Sequence, residues 1–364
     1  MTPLNISKIK LISRCILIRI GDKETGKREP AVRFRDGGFI NASRILLVMI
    51  MILFPAMMVS AGEAEVVSIA AVSTTPQPAL LDIALDRGFF SSEGLDVKRI
   101  IAPTGKHALD MVLAGRADLA AVAETPIMAA IMDGRDIVVI TGIFKSDKSE
   151  MIIARKDAGI VKPEDLKGKR VGLTMGTSQA FFFDIFLARH GIPRKAVTVV
   201  NMKPREYTQA FLDGKVGAIV TSIPRAPRLK KKMGDQAVIF YGEGFYSETY
   251  NLVTTRKFAA RKGDLLKKIL RSLYLAEKYS QDQPAEAQKI VARTTGVEAE
   301  LVRGFWPDIR LQLSLDQTLI ANLEHQARWS IRNKLIRNAP LPDFAYWMAG
   351  SYLQEIAPAR VTLY

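Results

Sequence analysis

The chain has 364 residues, of which 48% are hydrophobic and 24% charged, a composition ordinary for a globular protein of two domain-sized units. Lys and Arg outnumber Asp and Glu by 52 to 37, and residues 62–364 hold 42 of these basic residues against 33 acidic ones. So modest a basic excess suits anionic ligands or a solvated surface and does not by itself indicate a nucleic-acid partner.

Residues 1–61 are predicted to be a leader that ends in a signal peptide. Fifteen apolar residues run from Ile45 to Val59, after Arg44, and Val59-Ser60-Ala61 offers small residues at the −3 and −1 positions of a cleavage site. This apolar stretch is short for a membrane span and suits the core of a signal peptide at about 44–61. We therefore expect export to the periplasm; the alternative is a retained membrane anchor. Residues 1–43 are predicted to be polar, basic and unstructured.

Cysteine and histidine usage excludes several kinds of chemistry. The single cysteine, Cys15, lies in the leader, so the exported chain is expected to have no disulfide, thiolate nucleophile or cysteine metal site. His107, His190 and His325 are far apart and show no metal-ligand spacing. We predict no metal, no cofactor and no catalytic residue.

Strands and helices alternate along the first half of the exported chain. The predicted strands are Val66–Val72, Leu95–Ile101, Asp118–Ala123 and Ile137–Ile143, and the predicted helices are Ala79–Arg87, His107–Ala114 and Ile127–Met132. Such alternation predicts parallel sheets built from βαβ units. In these sheets ligands bind beyond the carboxyl ends of the strands, where polar turns follow each predicted strand.

The alternation continues in a second set of units. Its predicted strands are Met151–Arg155, Lys169–Leu173, Val197–Asn201, Val216–Val220, Val238–Tyr241 and Asn251–Thr255. From Leu265 onward the chain is predicted to be almost wholly helical. The sequence therefore predicts an α/β fold with a helical C-terminal segment.

One turn in this second set has the pattern of an anion site. The strand Lys169–Leu173 leads into Gly176-Thr177-Ser178-Gln179, and a helix is predicted from Ala180 to Arg189. Such a turn presents free backbone N–H groups, hydroxyls and the positive end of a helix dipole. The alternative is that Thr177 or Ser178 only caps the helix.

Three segments in order carry a resemblance to a known family. They are ALLDIALDRGFFSSEGLDVK, LAGRADLAAVAETP and EDLKGKRVGLTMGTS. The chain resembles, over about residues 66–358, the substrate-binding proteins of ABC importers, in the group that binds nitrate, sulfonates, taurine and thiamine precursors. The resemblance implies the two-lobed type 2 periplasmic-binding-protein fold, with one lobe at 66–147 plus 249–364 and the other at 148–248. The chain would cross between the lobes near 146–151 and 247–251.

The resemblance also implies a set of ligand-binding residues in the cleft between the lobes. Carried over position by position, these are Thr74, Thr75, Thr104, Gly105, Glu124, Thr125, Gly176, Thr177, Ser178 and Gln179. Where the family has a carboxylate and an aromatic residue, this chain has Gly217 and the turn Thr221–Pro224, with Arg225 directly after it. This departure favours an anionic ligand, because Lys145, Ser222, Arg225 and the Gly176 turn could converge on it. Tyr250 would stack on the ligand or pack in the core, and the role of Glu124 is open.

The function that the resemblance implies is solute binding for import. The protein would capture a small organic anion between its lobes and deliver it, as a monomer, to an ABC permease. One alternative is a membrane-anchored sensory module. Another is an enzyme of thiamine-precursor or menaquinone synthesis on the same fold, which an exported chain without cysteine disfavours. The sequence does not identify the ligand.

Overall fold

The structure is a computed structural model that describes residues 63–336 and 339–363, and three short strands before them. These strands, β1 (Ile16–Arg19), β2 (Pro30–Arg33) and β3 (Phe39–Asn41), form an antiparallel sheet in chain order. They lie in the leader, where the sequence predicted no regular structure, and for these residues that prediction is wrong.

The chain divides into two units, Met1–Glu63 and Ala64–Tyr364. The predicted signal peptide, at about 44–61, lies outside the described residues. Among the helices that the structure describes, none combines the length and the apolar character needed to cross a membrane.

The first half of the larger unit alternates between strands and helices. Its strands are β4 (Glu65–Ala71), β5 (Leu95–Ile101), β6 (Leu119–Ala123) and β7 (Val138–Ser146). Its helices are α1 (Ala79–Asp86), α2 (Phe89–Ser92), α3 (Gly105–Leu113) and α4 (Glu124–Met132). β4 is parallel to β5 and β6, as the βαβ pattern predicts.

The second half contributes six further strands. They are β8 (Glu150–Arg155), β9 (Arg170–Leu173), β10 (Thr198–Asn201), β11 (Ala218–Ser222), β12 (Ala237–Tyr241) and β13 (Glu248–Thr254). The helices among them are α5 (Ser178–Arg189), α6 (Tyr207–Leu212) and α7 (Arg225–Met233). The strands form one five-stranded sheet in the order β5-β4-β6-β13-β7 and another in the order β10-β9-β11-β8-β12.

Both sheets are mixed, and the prediction of parallel sheets is wrong for two strands. β13 is antiparallel to β6 and β7, and β8 is antiparallel to β11 and β12. These are the two strands that begin where the chain passes from one sheet to the other. Because they run against their neighbours, the first residue of each lies at the edge where the parallel strands end.

Helices dominate the remainder of the chain, as predicted. They are α8 (Arg256–Arg261), α9 (Gly263–Asp282), α10 (Pro284–Thr295), α11 (Ala299–Phe305), α12 (Gln317–Arg332) and α13 (Gly350–Ile356). Two-residue strands β14 (Leu315–Asp316) and β15 (Val361–Thr362) pair parallel to each other. Among these helices, α9 and α10 contact α1, and α12 contacts α4, so they pack on the half of the unit that holds the first sheet.

The core joins the two sheets rather than stopping at each one. One buried cluster runs from the strands and helices of the first sheet to Tyr207 and Phe211 of α6. A second cluster packs α5 against the other sheet and includes Trp329 of α12. The indole of Trp329 meets the Phe181 ring edge-on at 5.5 Å between centroids and donates to Asp184 at 2.8 Å. These contacts hold the two sheets against each other around the site.

Candidate functional site

A basic pocket of about 380 Å³ opens between the two sheets. The loop after β4 contributes Thr74 and Thr75, and the end of β11 contributes Ser222. α7 lines it with three cationic side chains, which are Arg225, Arg228 and Lys232. Hydroxyls from one sheet therefore face hydroxyl and cationic groups from the other, an arrangement suited to an anion.

Arg225 is held in place without a carboxylate partner. Its guanidinium lies 5.2 Å from the centroid of the Tyr207 ring and donates a hydrogen bond to Thr221 Oγ1 at 3.1 Å. Among the described residues it forms no salt bridge, so its charge is available to a ligand. Arg228 differs, since it donates to Glu298 Oε2 at 2.8 Å and to the Gly296 carbonyl at 3.0 Å.

An acidic cluster of Glu124, Glu150 and Glu248 is buried close to this pocket, with 0%, 3% and 4% of their surface exposed. Glu124 accepts four hydrogen bonds. They come from the Tyr246 hydroxyl, from Gln326 Nε2 at 2.9 Å, and from the Thr249 backbone N–H and hydroxyl at 3.1 and 3.3 Å. Both oxygens of Glu124 are thus satisfied by the protein.

The other two carboxylates are less completely satisfied. Ser178 donates its hydroxyl to Glu150 Oε1 at 2.9 Å, whereas Glu150 Oε2 accepts no hydrogen bond from the described residues. Glu248 Oε2 accepts hydrogen bonds from the Ser149 hydroxyl and, at 3.4 Å, from Gln77 Nε2. A buried carboxylate oxygen without a donor is costly, so the unpaired oxygen of Glu150 needs an explanation.

Burial and mutual repulsion make these carboxyls hard to ionise. Burial raises the pKa of Glu150 well above its usual value, and the charges of Glu248 and Glu124 raise it further. Burial, aided by the charge of Glu124, raises the pKa of Glu248 to about 7. Burial also raises the pKa of Glu124, although the hydrogen bonds from Tyr246 and Thr249 oppose that shift. The cluster therefore holds protons under conditions where exposed carboxyls have lost them.

The strand directions explain why these carboxylates meet at the pocket. Glu150 is the first residue of β8 and Glu248 the first of β13, so both lie at the edge where parallel strands end. Glu150 is the direct cross-strand partner of Ser222, which lines the basic pocket. Sequence reasoning missed Glu150 and Glu248, although both fall within the predicted crossings at 146–151 and 247–251.

The predicted Gly-Thr-Ser turn lies beside Glu150. Gly176 has a φ of +75°, Thr177 precedes the first residue of α5, and Ser178 begins that helix. The Thr177 hydroxyl donates to the Thr174 carbonyl at 2.7 Å, and Gln179 Oε1 accepts from the Tyr207 hydroxyl at 3.1 Å. The turn thus joins Arg225, through Tyr207, to the acidic cluster.

The other predicted site residues lie in several places. Thr104 caps α3 by accepting from the His107 N–H at 3.3 Å, and a side chain at Gly105 would lie 3.7 Å from the Tyr250 hydroxyl. Thr125 donates to Gln326 Oε1 at 2.7 Å, next to Glu124. Tyr250 is buried in β13, where burial raises the pKa of its hydroxyl.

Lys145 lies apart from the basic pocket. It is a residue of β7 rather than of a turn, because that strand runs three residues further than predicted. Its ammonium lies 3.6 Å from Asp316 Oδ2 and donates to the Thr318 hydroxyl at 3.2 Å. The structure does not bring Lys145 together with Arg225.

The charged groups of this arrangement can bind a charged solute. Within the described residues, no group of three His, Cys, Asp or Glu side chains has the geometry of a metal site. The cations offer charge-assisted hydrogen bonds to an anion, and the acidic cluster offers acceptors to a donor.

Comparisons with known proteins identify a family and a fold for this chain. A family model described as NMT1/THI5 like matches residues 75–287. A Bacillus subtilis protein named for the binding of aliphatic sulfonates is 23% identical over 261 residues, which is 70% of this chain and 78% of that protein.

Solved structures share the architecture. The periplasmic aliphatic sulphonate-binding protein SsuA of Escherichia coli has a TM-score of 0.69 at 18% identity, over 78% of this chain and 97% of that one. The alkanesulfonate-binding protein SsuA of Xanthomonas axonopodis, bound to MOPS, has a TM-score of 0.64 at 20% identity, over 76% and 96% of the two chains. The predicted periplasmic-binding-protein fold is confirmed.

Proposed function

The chain belongs to the NMT1/THI5-like family, and from that premise we propose that it is an extracytoplasmic solute-binding protein of an ABC importer. Its ligand is a small organic anion of the sulfonate class. Its role is capture and delivery rather than catalysis, and its partner is a permease in the membrane. The names of the sulfonate-binding relatives support this choice of ligand class.

The observation that carries the proposal is the free guanidinium of Arg225 in the pocket between the sheets. A sulfonate presents several acceptor oxygens, which match the donors of Arg225 and the hydroxyls of Thr74, Thr75 and Ser222. Arg228 and Lys232 add positive charge around them. Such an array favours an anion over a neutral solute of the same size.

Binding is coupled to closure of two lobes. We assign residues 66–147 plus 249–364 to one lobe and 148–248 to the other, so Thr74 and Ser222 approach the solute from opposite sides. A solute that contacts both lobes stabilises the closed form, and that form is what the permease recognises. The exported protein acts in the periplasm as a monomer and uses no cofactor.

Calorimetric titration of the full-length protein with propane-1-sulfonate, sulfate, propionate and nitrate tests the proposal. We expect the sulfonate to bind and the Arg225→Gln substitution to reduce its affinity by about 10- to 100-fold. A loss of this size is what the removal of a hydrogen bond to a charged group usually causes.

The matched control is Lys257→Gln, which removes an exposed positive charge on α8, outside the pocket. It should leave the affinity unchanged. If no anion binds, or if Arg225→Gln and Lys257→Gln have the same effect, the proposed function is wrong.

A further inference from the structure

Next to the basic pocket lies a cluster of acceptors for which the protein supplies too few donors. Glu150 pairs with Ser222 across β8 and β11, so the cluster begins one strand away from the pocket lining. Glu150 Oε2 and Gln77 Oε1 accept no hydrogen bond from the described residues, and both side chains are more than nine-tenths buried. The Nε2 atom of Gln77 donates a hydrogen bond to Glu248 Oε2 at 3.4 Å.

The composition of this cluster indicates which ligand group would fit. Its unpaired atoms are a carboxyl oxygen of Glu150 and the amide oxygen of Gln77. The amide oxygen can only accept a hydrogen bond, and so can the carboxyl oxygen once Glu150 has lost its proton. Neither Glu150 nor Glu248 forms a salt bridge with a described Lys or Arg, and Glu150 interacts with Arg225 only through space. A bound N–H group with positive charge would supply the missing donors and offset the repulsion between the carboxylates.

We propose that Glu150, Glu248 and Gln77 form a second subsite, which binds a positively charged N–H group of the solute. The solute then has two ends, with its anionic group in the basic pocket and its nitrogen at the acidic cluster. This inference rests on the proposed function, since it assigns the second half of the ligand of that same cleft.

Glu124 has a supporting part. Its two oxygens are already occupied by Tyr246, Thr249 and Gln326, so it holds the cluster together and is not free for the ligand. Its charge adds to the negative potential at Glu150 and Glu248. Glu150 is therefore the principal acceptor for the nitrogen.

Proton release should accompany binding of such a solute. The titratable and charged groups that face Glu150 and Glu248 are Glu124 of α4, Tyr246 before β13, Tyr250 of β13, Tyr207 of α6 and Arg225 of α7. An alkylammonium keeps its charge at neutral pH and prefers ionised carboxylates, so it displaces protons from them. Its affinity should rise as the pH increases through about 7, the pKa of Glu248.

The test compares three probes that differ only in their charged ends, which are 3-aminopropane-1-sulfonate, propane-1-sulfonate and propylamine. Calorimetric titrations of the full-length protein at pH 6 and 8, in two buffers of different ionisation enthalpy, give the affinity and the protons released. We expect the aminosulfonate to bind at least about tenfold more tightly than propane-1-sulfonate, with the difference larger at pH 8.

Substitutions locate the effect. Glu150→Gln keeps the size of the side chain and should reduce the ratio of the two affinities to about one, whereas Glu286→Gln, on the exposed surface of α10, should leave it unchanged. Glu248→Gln should reduce the proton release, which provides a second readout if Glu150→Gln does not fold.

Each result has a distinct meaning. Equal binding of the two sulfonates would overturn the second subsite and leave the proposed function standing. Binding of propylamine without either sulfonate would support the subsite and overturn the anionic half. If none of the three probes binds, both proposals are wrong.

Discussion

The two ends of the cleft, the basic pocket and the acidic cluster, differ in how far their charged side chains are exposed to solvent. At the basic pocket, Arg228 is partly exposed and pairs with Glu298, whose side chain is more exposed. At the acidic cluster, Glu124, Glu150 and Glu248 are almost fully buried and share a few hydroxyl and amide donors. Charge at the first end is screened by water and salt, and charge at the second is not.

This difference determines which variable controls each end. A partly exposed ion pair responds to ionic strength and contributes little to stability, because solvation offsets most of its Coulomb energy. A buried carboxyl makes the free energy of folding depend on pH. Burying a carboxyl that has no cationic partner costs less free energy when the carboxyl is protonated. The basic pocket should therefore be sensitive to salt and the acidic cluster to pH.

The largest expected effect is the pH dependence of stability that Glu248 causes. Its pKa is about 7 in the folded protein and near 4.5 when exposed, so between these values the folded state binds more protons than the unfolded state. The contribution of protonated Glu248 to the free energy of unfolding is therefore fully present below about pH 4.5, and it is lost as the pH rises through 7. The shift corresponds to about 3 kcal/mol, and urea unfolding at pH 5, 6, 7 and 8 measures it.

The substitution Glu248→Gln isolates this contribution, because glutamine cannot ionise. The variant should lose less stability than the wild type between pH 5 and 8, and the exposed Glu286→Gln should follow the wild type. If Glu248→Gln and the wild type have the same pH profile, the carboxyl of Glu248 is solvated in solution and the sharp contrast between the two ends disappears.

A smaller effect is expected from the hydroxyl that Tyr246 donates to Glu124. Tyr246→Phe preserves the ring contacts with Phe181 and Phe182 but leaves one oxygen of Glu124 with one donor fewer. Loss of a buried hydrogen bond to a charged or partly charged group should cost about 1 to 2 kcal/mol in urea unfolding. Tyr346→Phe, at a ring that is 65% exposed, is the control and should cost almost nothing.

The sequence predicted one end of the cleft better than the other. The rule that ligands bind beyond the carboxyl ends of parallel strands indicated the polar turns there. The family resemblance and the departure from it then selected Thr74, Thr75, Ser222 and Arg225, which all line the basic pocket. The same rule placed Lys145 in a turn, but β7 continues through it to Ser146.

The acidic cluster was missed for a physical reason. Glu150 precedes the apolar run 151–154 and Glu248 precedes Thr249, and a carboxylate at the start of a strand has the local pattern of an exposed turn residue. They are buried because β8 and β13 run antiparallel to their neighbours, which depends on contacts between distant segments. Glu124 was identified only through the family resemblance, and its partners Tyr246 and Gln326 lie 122 and 202 residues away.

The smallest expected effect concerns the ion pair between Arg228 and Glu298, which connects α7 to the residue before α11. Their side chains are 40% and 54% exposed, so a double-mutant cycle with Arg228→Gln and Glu298→Gln should give a coupling of about 0.5 kcal/mol or less at low salt. The coupling should fall further in 0.5 M NaCl, whereas the pH effect of Glu248 should persist there because it arises from burial. A coupling of several kcal/mol, insensitive to salt, would mean that this pair is desolvated in solution. The two ends of the cleft would then be governed by the same physics, and the assignment of salt to one and pH to the other would fail.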